Sequence, residues 1–343
     1  MTPIRRCGSH ALRLRLNCSP DVYSPYPLHI VDFLPLMKLY GDLSDDCIYF
    51  QLVLDLIGLQ NSNVCRWDKI SLDPGAIFKA VKEHPRSPYA IAYEMLFFGG
   101  EQHHAKVVMD KSLDNIHDFE ELIDLFDDIL FLNVARDPRA QISSINRSII
   151  HDFDTLLNTL TWVKAHDAVK KLAEKYPDKV LTIRYEDFIH NQEVVLRKVC
   201  QFFGIEFLDA MLDISASTEA QNLSRLSALW ETNLFEPIPA YIDKFKKFLT
   251  LEEINIIETL TEEHMEYYGY ERITKGFTQI TQEMMDVARE KSLKRKQEAW
   301  ETLKQKDSRD YQMRMFRANY LLMLEEKLRY KRSLWKGPRS RMG

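Results

Sequence analysis

The sequence predicts an α/β fold, a three-layer parallel sheet with helices on both faces, followed by a C-terminal helical extension. Three observations carry this expectation. Short apolar runs at 106–109, 129–135 and 180–183 alternate with stretches of helical spacing at 118–126 and 153–176, which is the pattern of βαβ units. Pro138 follows directly on the run that ends at Ala135, and proline is favoured at the first helical position because its missing N–H leaves nothing unbonded there. Between Gly276 and Gly337 there is neither glycine nor proline, and Lys, Glu, Gln, Leu and Met dominate.

Taken in order, residues 4–16 read as a very short strand, a turn centred on Gly8 and a helix carrying Ala11, Leu12 and Leu16. Residues 17–27 are loop, punctuated by Pro20, Pro25 and Pro27. Residues 28–59 read as helical with a break near Gly41, and helix is expected again from Pro74 to Glu83. Lys106–Met109 is a short strand followed by a loop over 110–114. Helix then covers 118–126, strand 129–135, helix 153–176 and strand 180–183. The last segment reads as two long helices broken at 306–310. Met284, Val287, Trp300 and Leu303 form one apolar stripe, and Met313, Phe316, Tyr320, Leu324 and Leu328 form another.

The chain has 343 residues, 45% of them hydrophobic, enough for a substantial core. No stretch approaches the 18 or so apolar residues of a membrane span, and no apolar run after Arg5 and Arg6 marks a secretory signal. The five cysteines are scattered without a Cys-x-x-Cys pair, which fits the reducing cytoplasm better than a disulfide framework or a zinc site. The formal charge of −5 is distributed unevenly. Residues 274–343 carry about +9 and residues 1–273 about −14. A body that acidic excludes nucleic acid as a general partner; it admits phosphates only where arginines and helix N-termini overcome the background.

Two places meet that condition. In Leu132–Ser148 an apolar strand delivers Arg136 at its end, and Ser144 and Arg147 lie one and two turns into the following helix, in reach of the same anion. Near the N-terminus, Arg6-Cys7-Gly8-Ser9-His10 forms a turn between strand and helix, where main-chain N–H groups and the helix dipole favour an anion. It is not a Walker A loop, because no Gly-Lys-Ser/Thr follows. Two such elements on one sheet suit a nucleotide with phosphates at both ends.

With these residues the chain resembles the P-loop sulfotransferases that use 3′-phosphoadenosine 5′-phosphosulfate (PAPS), of the bacterial small-molecule type. The family's opening Arg-Ser-Gly-Ser/Thr-Thr turn is matched by Arg6 to His10, and its Arg-Asp-Pro-Arg element with a serine eight residues on by Arg136 and Ser144. Asp110-Lys111-Ser112 matches its mid-chain lysine turn, and Tyr185-Glu186-Asp187-Phe188 its Tyr-Glu-Asp-Leu strand end. The helix closing at Gly204, the serine loop from Ser224 to Trp230 and the terminal helix ending in Gly269-Tyr270 follow in family order. His10, Cys7 and the missing proline after Ser112 depart from it.

The resemblance implies a P-loop-like fold, with a sulfotransferase domain over 1–273 and a basic helical extension over 274–343 that packs or oligomerises. It implies PAPS bound by Arg6, Cys7, Gly8, Ser9, His10, Ala11, Arg136, Ser144, Arg147, Tyr185, Ser224 and Arg225, with 3′,5′-adenosine bisphosphate as product and no metal. Arg6 and Lys111 would steady charge developing on the bridging oxygen. No carboxylate stands where some relatives place their base, so His29 is the candidate for that role, with Asp32, Glu94, His103 and His104 in reserve. The sulfuryl acceptor would be a hydroxyl or an amine or guanidine nitrogen of a small molecule. Acidic residues in the 41–55 region would suit a cationic natural product, such as a guanidinium alkaloid. A non-catalytic PAPS- or nucleotide-binding scaffold and a carbohydrate sulfotransferase remain alternatives, and the C-terminal helices offer a surface for a homo-oligomer.

Overall fold

The computed structural model describes residues 1–67, 70–215, 217–226 and 239–335, with side chains from 223 to 241 and beyond 331 left aside. The chain forms two compact units. One comprises residues 1–22 and 113–307, the other residues 23–112 and 308–343. It is an α/β protein with parallel strands and two long C-terminal helices.

In the first unit Phe131–Ala135 pairs in parallel with Val180–Arg184, in the register Phe131 to Val180 through Ala135 to Arg184. All five residues of the first strand are buried, as expected of a parallel strand covered on both faces. On its other edge Thr2 pairs alone: its N–H donates to Leu132 at 2.9 Å and its carbonyl accepts from Val134 at 3.1 Å. The first strand is thus shorter than the sequence implies and lies before Ile4, because the chain turns away over residues 4–8.

The helices of this unit begin where the sequence supplies caps. Asp154 accepts from the N–H groups of Leu156 and Leu157 to open Thr155–Lys175, and Thr250 with Glu253 closes a capping box at Leu251–Leu260. Their apolar faces meet in a core that includes Ile4, Ala135, Ile142, Trp162, Ile257 and Met265. Gln282–Lys306 belongs here too, with Ala288 packed against Leu156 and Ile256. Val287 points outward at 57% exposure, so the expected stripe on this helix is narrower than its spacing suggested.

In the second unit residues 30–39 form two 3₁₀ segments, and α-helix begins only at Asp46, where Asp45 caps Asp46–Asn61. Pro35 opens the second 3₁₀ segment, and a proline cannot donate to a continuing α-helix. Pro74–Val81 forms as expected. Pro88–Gln102, a helix the periodicity did not reveal, is capped by Ser87 with Pro88 in its first turn. The last helix, Ser308–Trp335, packs into this unit through Leu324 and Leu328, while Phe316, expected in the same stripe, is 54% exposed. Among the described residues no helix is long and apolar enough to cross a membrane.

Candidate active site

The Arg6–His10 turn is built from two left-handed residues, Arg6 at φ 69° and Gly8 at φ 95°, before the helix Ser9–Leu16 begins. Gly8 has a second constraint: a Cβ there would lie 2.3 Å from Cδ2 of Tyr185. Gly8 is also the residue that caps the helix, with no side-chain cap on its first turn.

Three successive carbonyls before the turn are held from the second element. Gln141 Nε2 donates to the carbonyls of Ile4 and Arg5 at 3.1 and 2.9 Å, and Arg136 Nη1 donates to that of Arg6 at 2.7 Å. Gln141 is itself fixed by the indole N–H of Trp162, at 2.9 Å. The guanidinium of Arg136 lies 4.5 Å from the centroid of the Tyr185 ring, a cation–π contact, so Tyr185 supports both elements.

The strand end is organised by carboxylates that take no part in holding an anion. Glu186 accepts from the Asp137 N–H at 3.1 Å and from the Tyr270 hydroxyl at 2.7 Å. Asp137 accepts from Arg139 through its N–H, Nε and Nη2, and Arg139 also pairs with buried Glu258 at 2.6 Å. Of the two arginines in Arg-Asp-Pro-Arg, one is therefore structural and Arg136 faces the turn.

Across from Arg136, Arg6 Nε donates to Ser144 Oγ at 3.1 Å. The Arg147 guanidinium lies over the Phe248 ring, 3.8 Å from its centroid, and its Nε donates to the Ser143 carbonyl. Burial, then the neighbouring charges of Arg136 and Arg147, push the Arg6 guanidinium down to about 10. Partial desolvation followed by Arg136 lowers Arg147. Three guanidiniums thus share one place, and Arg136 Nε is buried there with no hydrogen-bond partner among the described residues. A dianionic phosphate fits such a donor set.

Cys7 and Ser9 are buried, His10 and Ala11 half-buried at the start of the helix. Ser224 and Arg225 fall in the helix Thr218–Leu226, and their side chains lie outside the described residues, as does Trp230.

Lys111 and His29 belong to the second unit. Lys111 is 2% exposed, so it is no solvated surface lysine. His29 sits at φ 51°, its N–H donating to Ser112 Oγ at 3.2 Å, beside Lys111 in sequence. Its carbonyl and that of Leu28 accept from Arg317 Nη2, which also pairs with Asp32 at 3.1 Å. Asp32 is thereby committed to an ion pair. Burial raises the Glu94 carboxyl, with Glu101 adding to it. His103 and His104 are exposed, and no group of His, Cys, Asp or Glu among the described residues could hold a metal.

The acidic residues of the 41–55 region have local tasks. Asp42 accepts from the Ser44 N–H, Asp45 caps a helix and Asp46 pairs with Arg86. Buried Asp55 takes Tyr40 at 2.7 Å, Gln51 at 2.9 Å and Lys327 at 2.6 Å. Asp46 and Asp55 are thus paired with cations, whereas Asp42 and Asp45 stay exposed and meet main-chain N–H groups alone among the hydrogen bonds described. Sequence reasoning missed Gln141, Trp162 and Phe248 as supports of the site. The only trace of Gln141 was a polar residue one turn before Ser144 on the same helix.

Comparison with known proteins bears on this arrangement. The family model described as "Sulfotransferase family" matches residues 3–209, which include both arginine elements. The sulfotransferase domain from the Synechococcus PCC 7002 olefin synthase aligns over 79% of this chain and 92% of its own, with TM-score 0.53 and 23% identity. The sulfotransferase domain from the curacin biosynthetic pathway aligns over 78% and 95%, with TM-score 0.53 and 17% identity. These two likenesses speak for the fold; among curated proteins no sequence matches. With the family model covering more than half of its length, the chain belongs to the sulfotransferase family.

Proposed function

We propose that this chain transfers the sulfuryl group of PAPS to a hydroxyl or to an amine or guanidine nitrogen of a small-molecule acceptor, within natural-product biosynthesis. The observation that carries the reading is the pair of cross-linked anion elements, with three arginines on one side and an uncapped helix N-terminus on the other. Arg6 to Ala11 would line the 5′-phosphosulfate; Arg136, Ser144 and Arg147 would hold the 3′-phosphate, with Tyr185 beside Arg136. Ser224 and Arg225 would complete the site from the later helix.

The chemistry supplied with PAPS is a sulfuryl group whose departure leaves 3′,5′-adenosine bisphosphate. Arg6 and Lys111 would hold positive charge for the leaving phosphate, a role that requires neither metal nor covalent bond. His29 accepts the acceptor's proton at an imidazole nitrogen, in the pH range where histidine exchanges protons most readily. The acceptor is defined by its nucleophile, and the exposed carboxylates of Asp42 and Asp45 would suit one that also carries a cationic charge, such as a guanidinium alkaloid. Residues 1–273 constitute the proposed sulfotransferase domain, 274–343 its extension, with self-association through those helices. The five free cysteines accord with a cytoplasmic enzyme.

Isothermal titration with 3′,5′-adenosine bisphosphate, beside ATP-magnesium as control, tests the cofactor reading. Binding of the bisphosphate alone, lost in Arg136→Ala, is the expected result; binding of ATP-magnesium in preference, or of neither, overturns it.

A further inference from the structure

The last helix, Ser308–Trp335, lies beyond the stretch that the family model matches, residues 3–209. We infer that this helix serves the proposed reaction through Arg317, a positioning residue that fixes His29 in the conformation from which it acts as base. The inference rests on the reading of His29 as that base and adds the group that holds it.

Residues 26–29 belong to no helix or strand, so their main-chain groups need partners from elsewhere. Four successive carbonyls find them in side chains of the second unit. The Trp67 indole N–H donates to that of Tyr26 at 2.6 Å, and Asn63 Nδ2 to that of Pro27 at 2.9 Å. Arg317 Nη2 donates to those of Leu28 and His29 at 2.9 and 3.1 Å, and to Asp32 Oδ2 at 3.1 Å. On its other side the His29 N–H donates to Ser112 Oγ at 3.2 Å, next to Lys111 in sequence. Both main-chain groups of His29 are thus held by side chains distant in sequence, Ser112 and Arg317.

His29 stands at φ 51°, a left-handed conformation that a non-glycine residue keeps only where its surroundings over-determine it. Asn63 and Trp67 hold the residues before it and fix the approach of the chain. The three contacts of Arg317 gather on one nitrogen, which joins the carbonyls of Leu28 and His29 to Asp32, in the 3₁₀ segment Ile30–Asp32 that follows. Arg317 therefore spans His29 from both sides in sequence and sets the direction in which its imidazole leaves the chain. Its side chain is 11% exposed, so the contacts are shielded from water. An ion pair with Asp32 alone would anchor the helix equally well; the bonds to Leu28 and His29 are what single out the base. A general base must come within hydrogen-bond reach of the proton it takes, and a misplacement of about 1 Å costs about 100-fold in rate.

The test is a carbon–proton NMR spectrum of the full chain with carbon-13 in its histidine rings, in which His29→Gln assigns the His29 imidazole signal, together with amide exchange at His29. In Arg317→Gln the signal should move and the amide should exchange about 10- to 100-fold faster, through loss of hydrogen bonds from a charged donor. Arg317→Lys, whose ammonium carries three donors at one point, should recover most of both. Tyr320→Phe removes a bond from the same helix, one turn on, to the Asp55 carbonyl; it should lower the thermal midpoint and leave the His29 signal in place. An unmoved signal in Arg317→Gln overturns the inference. So does a signal moved as far by Tyr320→Phe, since the helix as a whole would then set His29. If Arg317→Gln does not fold, Asp32→Asn carries the test: it takes the counter-charge from the guanidinium and should move the signal the same way by less, and no movement overturns the inference. Adenosine 3′,5′-bisphosphate separates the two levels of argument. If it shifts the His29 signal of the unaltered chain while Arg317→Gln does not, the base reading stands and this inference falls. If it leaves that signal in place, His29 is not beside the leaving group and both fall.

Discussion

Arg136 donates from Nη1 to the carbonyl of Arg6 at 2.7 Å, joining residues 130 positions apart. The bond makes one rigid body of two elements whose residues the sequence presents as separate anion sites. The guanidinium that would meet a phosphate is therefore also the support of the turn opposite. Substitution of Arg136 removes both, which distinguishes it from substitution of Arg147, whose contacts stay on its own element and on Phe248. Arg136→Lys keeps the charge but not the flat fork that stacks on Tyr185 while donating to Arg6. Bisphosphate affinity in that variant should fall about 10-fold or more, read by titration calorimetry, and retention of full affinity would show that charge alone suffices.

Gly8→Ala should destabilise the first unit. The left-handed φ of 95° costs a non-glycine residue about 1–2 kcal/mol, and a Cβ 2.3 Å from the Tyr185 ring adds an overpacking cost of about 1–3 kcal/mol. Thermal unfolding of Gly8→Ala, Tyr185→Ala and the double variant separates the two parts. Relief of the steric portion in the double variant makes the effects non-additive; simple additivity would mean that the ring does not press on Gly8.

Phe248→Ala addresses the cation–π contact with Arg147, at 3.8 Å. Phe248 is 47% exposed, so its loss should cost little stability. Contacts of this type contribute about 0.5–2 kcal/mol, and bisphosphate affinity should drop about 2- to 30-fold. In an Arg147→Ala background the same change should have no further effect, and an undiminished effect there would refute the coupling.

The buried strand at 131–135 and the half-buried strand at 180–184 were legible because both are short, mostly apolar and bounded by helical spacing. The arginine elements were legible because a proline after a strand end and a glycine turn before a helix are local signals. Pro88–Gln102 was not, since Tyr89 to Gly100 is apolar almost all round and shows no polar face with helical period. Val287 and Phe316 fit their stripes by spacing, yet both face outward; spacing alone does not say how wide the buried face of a long helix is. The assembly of the second unit depends on pairs such as Arg317 with Leu28 and Lys327 with Asp55, 289 and 272 residues apart. Nothing local announces them. Asp55, one of the acidic residues of the 41–55 region, is one end of such a pair.

That pair ties the final helix into the second unit. Asp55 is 4% exposed and accepts from Lys327, Tyr40 and Gln51, while Tyr320 donates to its carbonyl at 2.9 Å. Lys327→Met should leave a buried carboxylate without its cation, and breaking a buried pair from one side costs about 3–5 kcal/mol. Asp55→Asn combined with Lys327→Met should be less damaging than Lys327→Met alone, because no unpaired charge remains. A double variant no more stable than the single one by thermal unfolding would mean that the ion pair is not what holds the helix.

Glu258 gives the first unit a dependence on acid. Burial works to raise its carboxyl, but the Thr274 hydroxyl, the N–H groups of Ile273 and Thr274, and Arg139 outweigh it and hold the group below its ordinary value of 4.5. A depressed folded value means that the unfolded chain binds the proton more readily, so this contribution is fully present above the ordinary value and is lost as pH falls through the folded one. Thermal midpoints of the unaltered chain and Glu258→Gln, measured from about pH 6 to about pH 3, should converge as the carboxylate is protonated. At the upper end the variant should be less stable by about 2–5 kcal/mol, since Arg139 keeps its pair with Asp137 but loses the buried second one. A gap between the two curves that stays constant down to the lowest pH would show that Glu258 acts through packing and not through its charge.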